Sequence, residues 1–565
     1  MQRLLPWLAV ASLACAPPPA DDGDASSTGD ASSTGDGATE SIPTGTGTDT
    51  GAAETAALSN TAADTDTGEA VIPCPPIDPH HKYELDGDGV DDTVVATQDE
   101  LKILAGCTDI AGSLQITGDI TDLTPLSSLR RIVGSLYIYD AGQPPKLLSL
   151  AGLDGLESVR SVELEYLDIT SLDPLAGLTT IPGALKLNAL EQLKSLAGLH
   201  NLTQVGGPLT ITRATKLDDL EALAGLTDLP GELVIADLPA LVSLEGLHNI
   251  EHLGGRLSID NCSQLADLDG LRGLQRIDDR LYLGQLPITT LHGLEALTKV
   301  GTPGGEPVQI TLYLLSQLTS LDALAIEWHE AHAIWIYRSL ITDLEIFSGV
   351  SELSGLALTE VDGLVDLTGL ESLTIVHEAL DLRENANLVA IGALSNLQSF
   401  GSLNLERSIL TDLPLPGLTQ VNAVRIRDNA QLAALSGLAG FTEIGSLVLE
   451  DNPKLPTLSD LSALEQVSGN FEIRRNDALT TIDDLAAVST VGGDLRVVFN
   501  AELPQTEAVA WGASIAVGEV RKIVRNKGDM DPSLDPCPWI EDGECDEDSG
   551  ACAPGSDAQD CLIGE

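Results

Sequence analysis

The sequence predicts a mainly β fold, a leucine-rich β-solenoid of about 18 thin coils with stacked parallel strands. Three observations predict it. The phrase L-x-x-L-x-L-x-x-N recurs about every 24 residues from roughly 112 to 525, and is clearest at 444–452, where Leu447, Leu449 and Asn452 fall in place. Within each repeat a pair of aliphatic residues stands two apart, the spacing that puts both on one face of a strand. Aromatic residues are only 3% of the chain, which suits thin aliphatic coils better than a globular core.

The chain has 565 residues, but domain count does not follow from length here, because each coil packs only on its neighbours. Its net charge of −57, from 86 acidic and 29 basic residues, repels phosphate backbones, so no nucleic-acid partner is expected. The same charge is what a solvated extracellular surface carries.

Taken in order, residues 1–14 place Arg3 before an apolar run to Ala14, a leader too short to span a bilayer. Ser12-Leu-Ala-Cys15 resembles a bacterial lipobox, with Ser12 where an aliphatic residue is usual. The resemblance implies lipidation of Cys15 and a lipid-anchored protein of the bacterial cell envelope, at the outer membrane or cell surface; cleavage of an ordinary secretory signal nearby is the other reading. Residues 15–70 are rich in Ser, Thr, Gly and Asp and have almost no large apolar side chains, so they are expected to remain a disordered tether.

Residues 71–107 are expected to form an N-terminal cap. Asp86, Asp88 and Asp91, spaced by glycine, resemble the aspartate-rich calcium loops of thrombospondin type 3 and dockerin repeats, though the twelfth-position Glu of an EF-hand is missing. A solvated acidic turn is the alternative. Thr97-Gln-Asp-Glu100 is a capping box and predicts a short helix over about 98–105, covering the first coil. Cys74 and Cys107 are candidates for a disulfide stapling this cap.

Residues 108–528 carry the repeats. The inward pairs include Leu114/Ile116, Leu209/Ile211, Leu257/Ile259, Leu447/Leu449 and Phe471/Ile473. With strands ~4.8 Å apart, 18 coils would extend about 80 Å. Gly-Gly at 206–207, 254–255 and 492–493 predicts tight corners with φ > 0 ahead of the strands. Asn385, Asn429, Asn452, Asn476 and Asn500 share the position three beyond the second inward residue, where a buried amide can bond the backbone of adjacent coils. Cys262 takes that position in one coil and reads as an inert structural thiol. The Leu-x-Gly-Leu pieces at 196–199, 244–247 and 435–438, the Ile/Val-Gly that follow and the Gly-x-Leu-x-Ile strands resemble the receptor L domain, the right-handed leucine-rich module of insulin- and growth-factor-type receptors. That resemblance implies the solenoid fold and leaves the ligand open.

The outward positions suggest where a ligand sits. Arg383, Glu406, Arg427, Glu450 and Arg474 alternate in sign at strand spacing, which predicts a cross-strand ion ladder of structural purpose. Tyr282, Tyr313, Trp335 and Tyr337 concentrate on one face of adjacent coils and are the candidate ligand-binding residues, for a protein or glycan; a stiffening aromatic stack is the alternative. Tyr137 and Tyr139 form a smaller pair. His329-Glu-Ala-His332 has neither the spacing nor the helix of a zinc-protease motif.

Residues 529–565 hold Cys537, Cys545, Cys552 and Cys561, implying two disulfides of open pairing. They resemble a shortened Notch-type calcium repeat, with Asp542, Asp546, Asp557 and Asp560 as the matching calcium ligands; a stapled tail without metal is the alternative. Calcium is thus the one cofactor suggested. The sequence reading is a non-catalytic, membrane-anchored surface protein for recognition or adhesion. The alternatives are a carbohydrate-active β-solenoid enzyme, which needs a carboxylate pair in a cleft, and a passive spacer.

Overall fold

A computed structural model describes residues 92–140, 145–301, 307–418 and 420–528. The aliphatic pairs of successive repeats line up rung on rung, as in Leu209↔Leu233↔Leu257↔Leu281 and Ile211↔Ile235↔Ile259↔Leu283. The result is one parallel sheet of 21 strands. Setting aside the short Thr93–Val95, Asp109–Ile110 and Glu352–Leu353 leaves 18 long strands, from Leu114–Thr117 to Arg521–Val524, which is the expected coil count. The paired inward residues are buried from Leu114/Ile116 to Leu495/Val497, the last strand carrying exposed Arg521 and half-buried Ile523 at those positions, and one apolar core runs from Val95 to Ile515.

Each coil from the strand Ser158–Glu165 onward leaves its long strand through a left-handed corner. From Tyr166 (φ 56°) through Arg213 (φ 55°) and Asp451 (φ 53°) to Arg525 (φ 57°), a non-glycine residue with positive φ ends every long strand from Ser158–Glu165 onward. The strain is held because the corner N–H continues the ladder, as Tyr166 N donates to Asn188 O at 3.0 Å and Arg213 N to Ala236 O at 3.0 Å. This corrects the reading of the Gly-Gly pairs, which do not adopt positive φ. They lie where coils touch. A Cβ on Gly206 would sit 2.2 Å from Pro182 O, on Gly254 2.1 Å from Pro230 O, and on Gly492 2.0 Å from Ser468 O.

Two of the Leu-x-Gly-Leu pieces become tight 3-10 turns, Ala197–Leu199 and Ser436–Leu438, while the third, at 244–247, is a turn with Gly246 at φ 107°. Their glycine has the same cause. A Cβ on Gly198 would lie 1.8 Å from Leu172 O of the preceding coil. Gly198→Ala is therefore expected to lower stability by about 3 kcal/mol, the upper range for overpacking a close-packed interior, read from the urea midpoint.

The asparagine position splits the stack. In the first half it holds Leu167, Leu190, Leu238, Leu286 and Leu315, all buried. In the second half Asn429, Asn452, Asn476, Asn500 and also Asn526 form a continuous ladder. Asn452 Nδ2 donates to Ile426 O at 3.1 Å, and Asn452 Oδ1 accepts from Asn429 N at 3.2 Å. Asn476 and Asn500 repeat this one coil on, with Oδ1 accepting from Asn452 N and Asn476 N.

The two ends differ from the middle. Helix α1, Gln98–Ile103, has the expected capping box, with Thr97 Oγ1 accepting from Glu100 N and Glu100 Oε2 from Thr97 N at 2.9 Å. The cap also contributes the strand Thr93–Val95, paired with Leu114–Ile116, so the sheet begins before residue 107. Near the other end a second helix, α2 at Gln505–Ala513, replaces the 3-10 turn. Its Trp511 meets Phe471 edge-on at 5.9 Å and donates to Leu485 O at 3.0 Å. Nothing in the sequence reading anticipated α2.

Candidate functional site

The strands Leu281–Gly284, Val308–Tyr313 and His332–Ser339 are neighbours in the sheet, so their outward residues fall into two columns. One column runs Ser258, Tyr282, Thr311, Trp335, Ala357; the other runs Asp260, Gly284, Tyr313, Tyr337, Thr359. All four candidate aromatics face outward. Trp335 is 36% exposed, and the three tyrosines are half-buried. Small residues, Thr311 and Ala357, flank the indole. Tyr313 and Tyr337 meet edge-on, centroids 5.9 Å apart.

Gly284 explains how Tyr282 joins them. A Cβ there would meet Asp260 Oδ1 at 2.4 Å and Tyr282 Oη at 2.6 Å. The Tyr282 ring thus crosses into the gap that glycine leaves and fills the second column between Asp260 and Tyr313. Burial, then the nearby Asp260 and Tyr313, push its hydroxyl above the usual phenol range. Tyr337 is likewise raised, by burial and Asp381. Both phenols therefore remain neutral donors at any physiological pH. Carboxylate and ion-pair groups frame the patch. Burial raises Asp260 on one side. On the other, Arg383 Nε donates to Asp381 Oδ1 at 2.6 Å.

That last contact corrects part of the ion ladder. Arg383 turns along its own strand to Asp381, and Glu406 lies 3.6 Å from Arg407, a corner residue. The ladder holds around Glu450, which is 1% exposed. Its carboxylate takes Arg427 Nε at 2.8 Å, Arg474 Nη2 at 2.5 Å and Arg475 Nη2 at 2.7 Å. These groups brace the sheet.

His332 is also structural. It is fully buried; Nε2 lies 2.9 Å from Val300 O, and Nδ1 accepts from His329 N at 3.0 Å. Both ring nitrogens are thus used by backbone. Burial, with His329 alongside, lowers its pKa to about 4. The folded state therefore binds fewer protons than the unfolded chain between the ordinary histidine value near 6.5 and 4. Its contribution is fully present above pH 6.5 and is lost as pH falls toward 4, by up to about 3 kcal/mol. Urea midpoints measured across that window should fall less steeply for His332→Gln than for the native chain.

Cys262 is fully buried, and burial pushes its thiol up to about 12, as an inert thiol requires. Cys107 is buried and, among the described residues, has no disulfide partner. Its candidate partner Cys74 lies outside the described residues, as do Cys15, the candidate calcium ligands Asp86, Asp88, Asp91, Asp542, Asp546, Asp557 and Asp560, and the cysteines Cys537, Cys545, Cys552 and Cys561. Asp92, which follows the first acidic loop, accepts from Ser113 N at 2.5 Å and ties the cap to the first coil. The sequence reading missed Tyr166, which meets Tyr139 edge-on at 5.5 Å. It occupies a left-handed corner, where strand alternation does not say which way a side chain faces.

No protein-family model matches the chain, and no curated protein does. Among solved structures it is similar to an internalin from Listeria monocytogenes, at 19% identity over 72% of this chain and 85% of that one, with a TM-score of 0.27. It is also similar to a leucine-rich-repeat protein of Leptospira interrogans, at 13% identity over 75% and 92%, with a TM-score of 0.31. A third is the mouse RP105/MD-1 complex, at 14% identity over 78% and 79%, with a TM-score of 0.35. The fold assignment itself rests on the strand register and burial described above.

Proposed function

We propose that this is a non-catalytic recognition protein that binds a protein ligand through the patch of Tyr282, Tyr313, Trp335 and Tyr337. The observation that carries the reading is the convergence of these rings from three successive strands into one outward surface, with Trp335 exposed between two small residues. Rigid aromatics supply contact area at low entropic cost and dominate the energetics of protein interfaces. The tyrosine hydroxyls add fixed donors around an apolar centre. A glycan ligand would use the same rings by stacking, and the test below separates the two.

The leader and Cys15 support anchoring in a bacterial envelope, with the 15–70 segment as tether. Among the described residues no helix is long and apolar enough to cross a membrane. Anchoring would then depend on acylation at Cys15, and Cys15→Ser should abolish incorporation of labelled palmitate.

Recognition is tested by screening the native chain and a Y282A/W335A/Y337A variant against secreted-protein and glycan arrays. Each ligand captured by the native chain should bind the variant at least about 30-fold more weakly, the loss expected of a central hot spot. Ligands confined to the glycan array would replace the protein ligand with a sugar. Unchanged binding of all ligands by the variant would remove the patch from the function.

A further inference from the structure

A second aromatic site lies near the start of the sheet. Tyr137 and Tyr139 stand outward on the strand Arg131–Tyr139, their rings nearly parallel at 11° and 6.2 Å between centroids. Tyr166, at the corner of the next long strand, packs edge-on against Tyr139. The pair lines a cavity of about 430 Å³ together with Gln115, Thr117, Asp119 and Asp140. That volume lies within the range of small-molecule sites.

Among the described residues, the charges around it do not balance. Asp119, Asp140, Glu163 and Glu165 stand against the ammonium groups of Lys146 and Lys186. Lys146 Nζ is bonded to Asp119, and Lys186 Nζ lies 2.5 Å from Glu165. Asp140 accepts from Lys146 N at 2.6 Å. Burial pushes the Glu163 carboxyl up, and burial with Glu165 and Glu163 pushes the Tyr137 hydroxyl up to about 12. The phenol is therefore neutral, and the field at the ring is negative. Aromatic faces in a negative field attract cations. A neutral sugar would gain from the ring faces but not from the field, and Asp119 and Asp140 are already engaged.

We infer that this cavity binds an organic cation, an alkylammonium or guanidinium group, seated against Tyr137 and Tyr139. Such a group comes either from a free amine or from a lysine or arginine side chain of a basic polypeptide. The site shares no residue with the central patch, so either can fail without the other.

Calorimetry on the full chain at 0.3 M salt tests it, using choline, its uncharged isostere 3,3-dimethylbutan-1-ol, and hexalysine. Choline should bind at least tenfold more tightly than the isostere. A Y137L/Y139L variant, shown to be folded by its circular dichroism, should lose choline at least tenfold, while Tyr139→Phe keeps it. Hexalysine binding more tightly than choline, with the same tyrosine dependence, assigns the cation to a polypeptide; choline alone assigns it to a free amine. Equal binding of choline and the isostere, unchanged binding by Y137L/Y139L, or no cation bound at 10 mM would overturn the inference.

Discussion

Glu450→Ala should destabilise the chain by about 3–5 kcal/mol, although it removes an outward-facing residue of a solvent-side column. An exposed ion pair contributes perhaps 0–1 kcal/mol, so that is the effect expected if the residue were read as surface. The geometry says otherwise. Glu450 is 1% exposed and is the common acceptor of Arg427, Arg474 and Arg475. Removing it takes the shared acceptor from three guanidinium groups on the two flanking coils, of which Arg475 keeps Asp451 at 3.0 Å and Arg474 keeps Glu472 at 3.5 Å. Glu450→Gln keeps the shape and should still be destabilising, because the amide offers one acceptor oxygen and no charge. A urea midpoint within 1 kcal/mol of the native chain for both variants would show that the arginines find other partners.

Asn452→Leu should cost about 3–6 kcal/mol, even though leucine fills the same position in the first half of the stack. The cause is what the neighbours do. Asn452 Oδ1 accepts from Asn429 N at 3.2 Å and from Asn429 Nδ2 at 3.1 Å, and Asn452 Nδ2 donates to Ile426 O at 3.1 Å. Leucine satisfies none of these, and each buried group left unmade costs about 1–3 kcal/mol. The first half has leucine on consecutive members such as Leu167 and Leu190, so there no amide waits on its neighbour. The same denaturation experiment reads the effect. A loss below 1 kcal/mol would mean that the ladder forms without contributing to stability.

Much of this architecture is legible in the sequence because the stack repeats one set of constraints. The inward leucines, the buried asparagines and the capping box at Thr97 follow from spacing alone, and each lies where spacing puts it. Glycine was legible as a requirement and misread as to cause. Gly206 and Gly254 serve close approach between coils, a long-range contact that no local pattern reports. Besides Asp and Asn, which do signal turns, the positive-φ corners use Arg, Glu, Leu, Tyr and Phe, types that carry no turn signal, because the ladder imposes the conformation on them. Helix α2 escaped because it is one short element in a chain read at a longer period. The outward column around Trp335 was legible by alternation. The crossing of Tyr282 over Gly284, the Arg383–Asp381 pair and the contribution of Arg475 to Glu450 depend on rotamer choices and corner positions that alternation does not set.

The most direct test of the whole account asks whether the coils bearing the aromatic patch are successive rungs of one sheet. Spin labels at Ser258→Cys and Asn404→Cys stand six rungs apart, through Tyr282, Thr311, Trp335, Ala357 and Asp381. At ~4.8 Å per rung, pulsed dipolar spectroscopy should give a single narrow distance of about 25–30 Å. A distance beyond about 40 Å, or a broad distribution with several maxima, would mean that these segments do not stack as one ladder and that the patch does not exist as a surface.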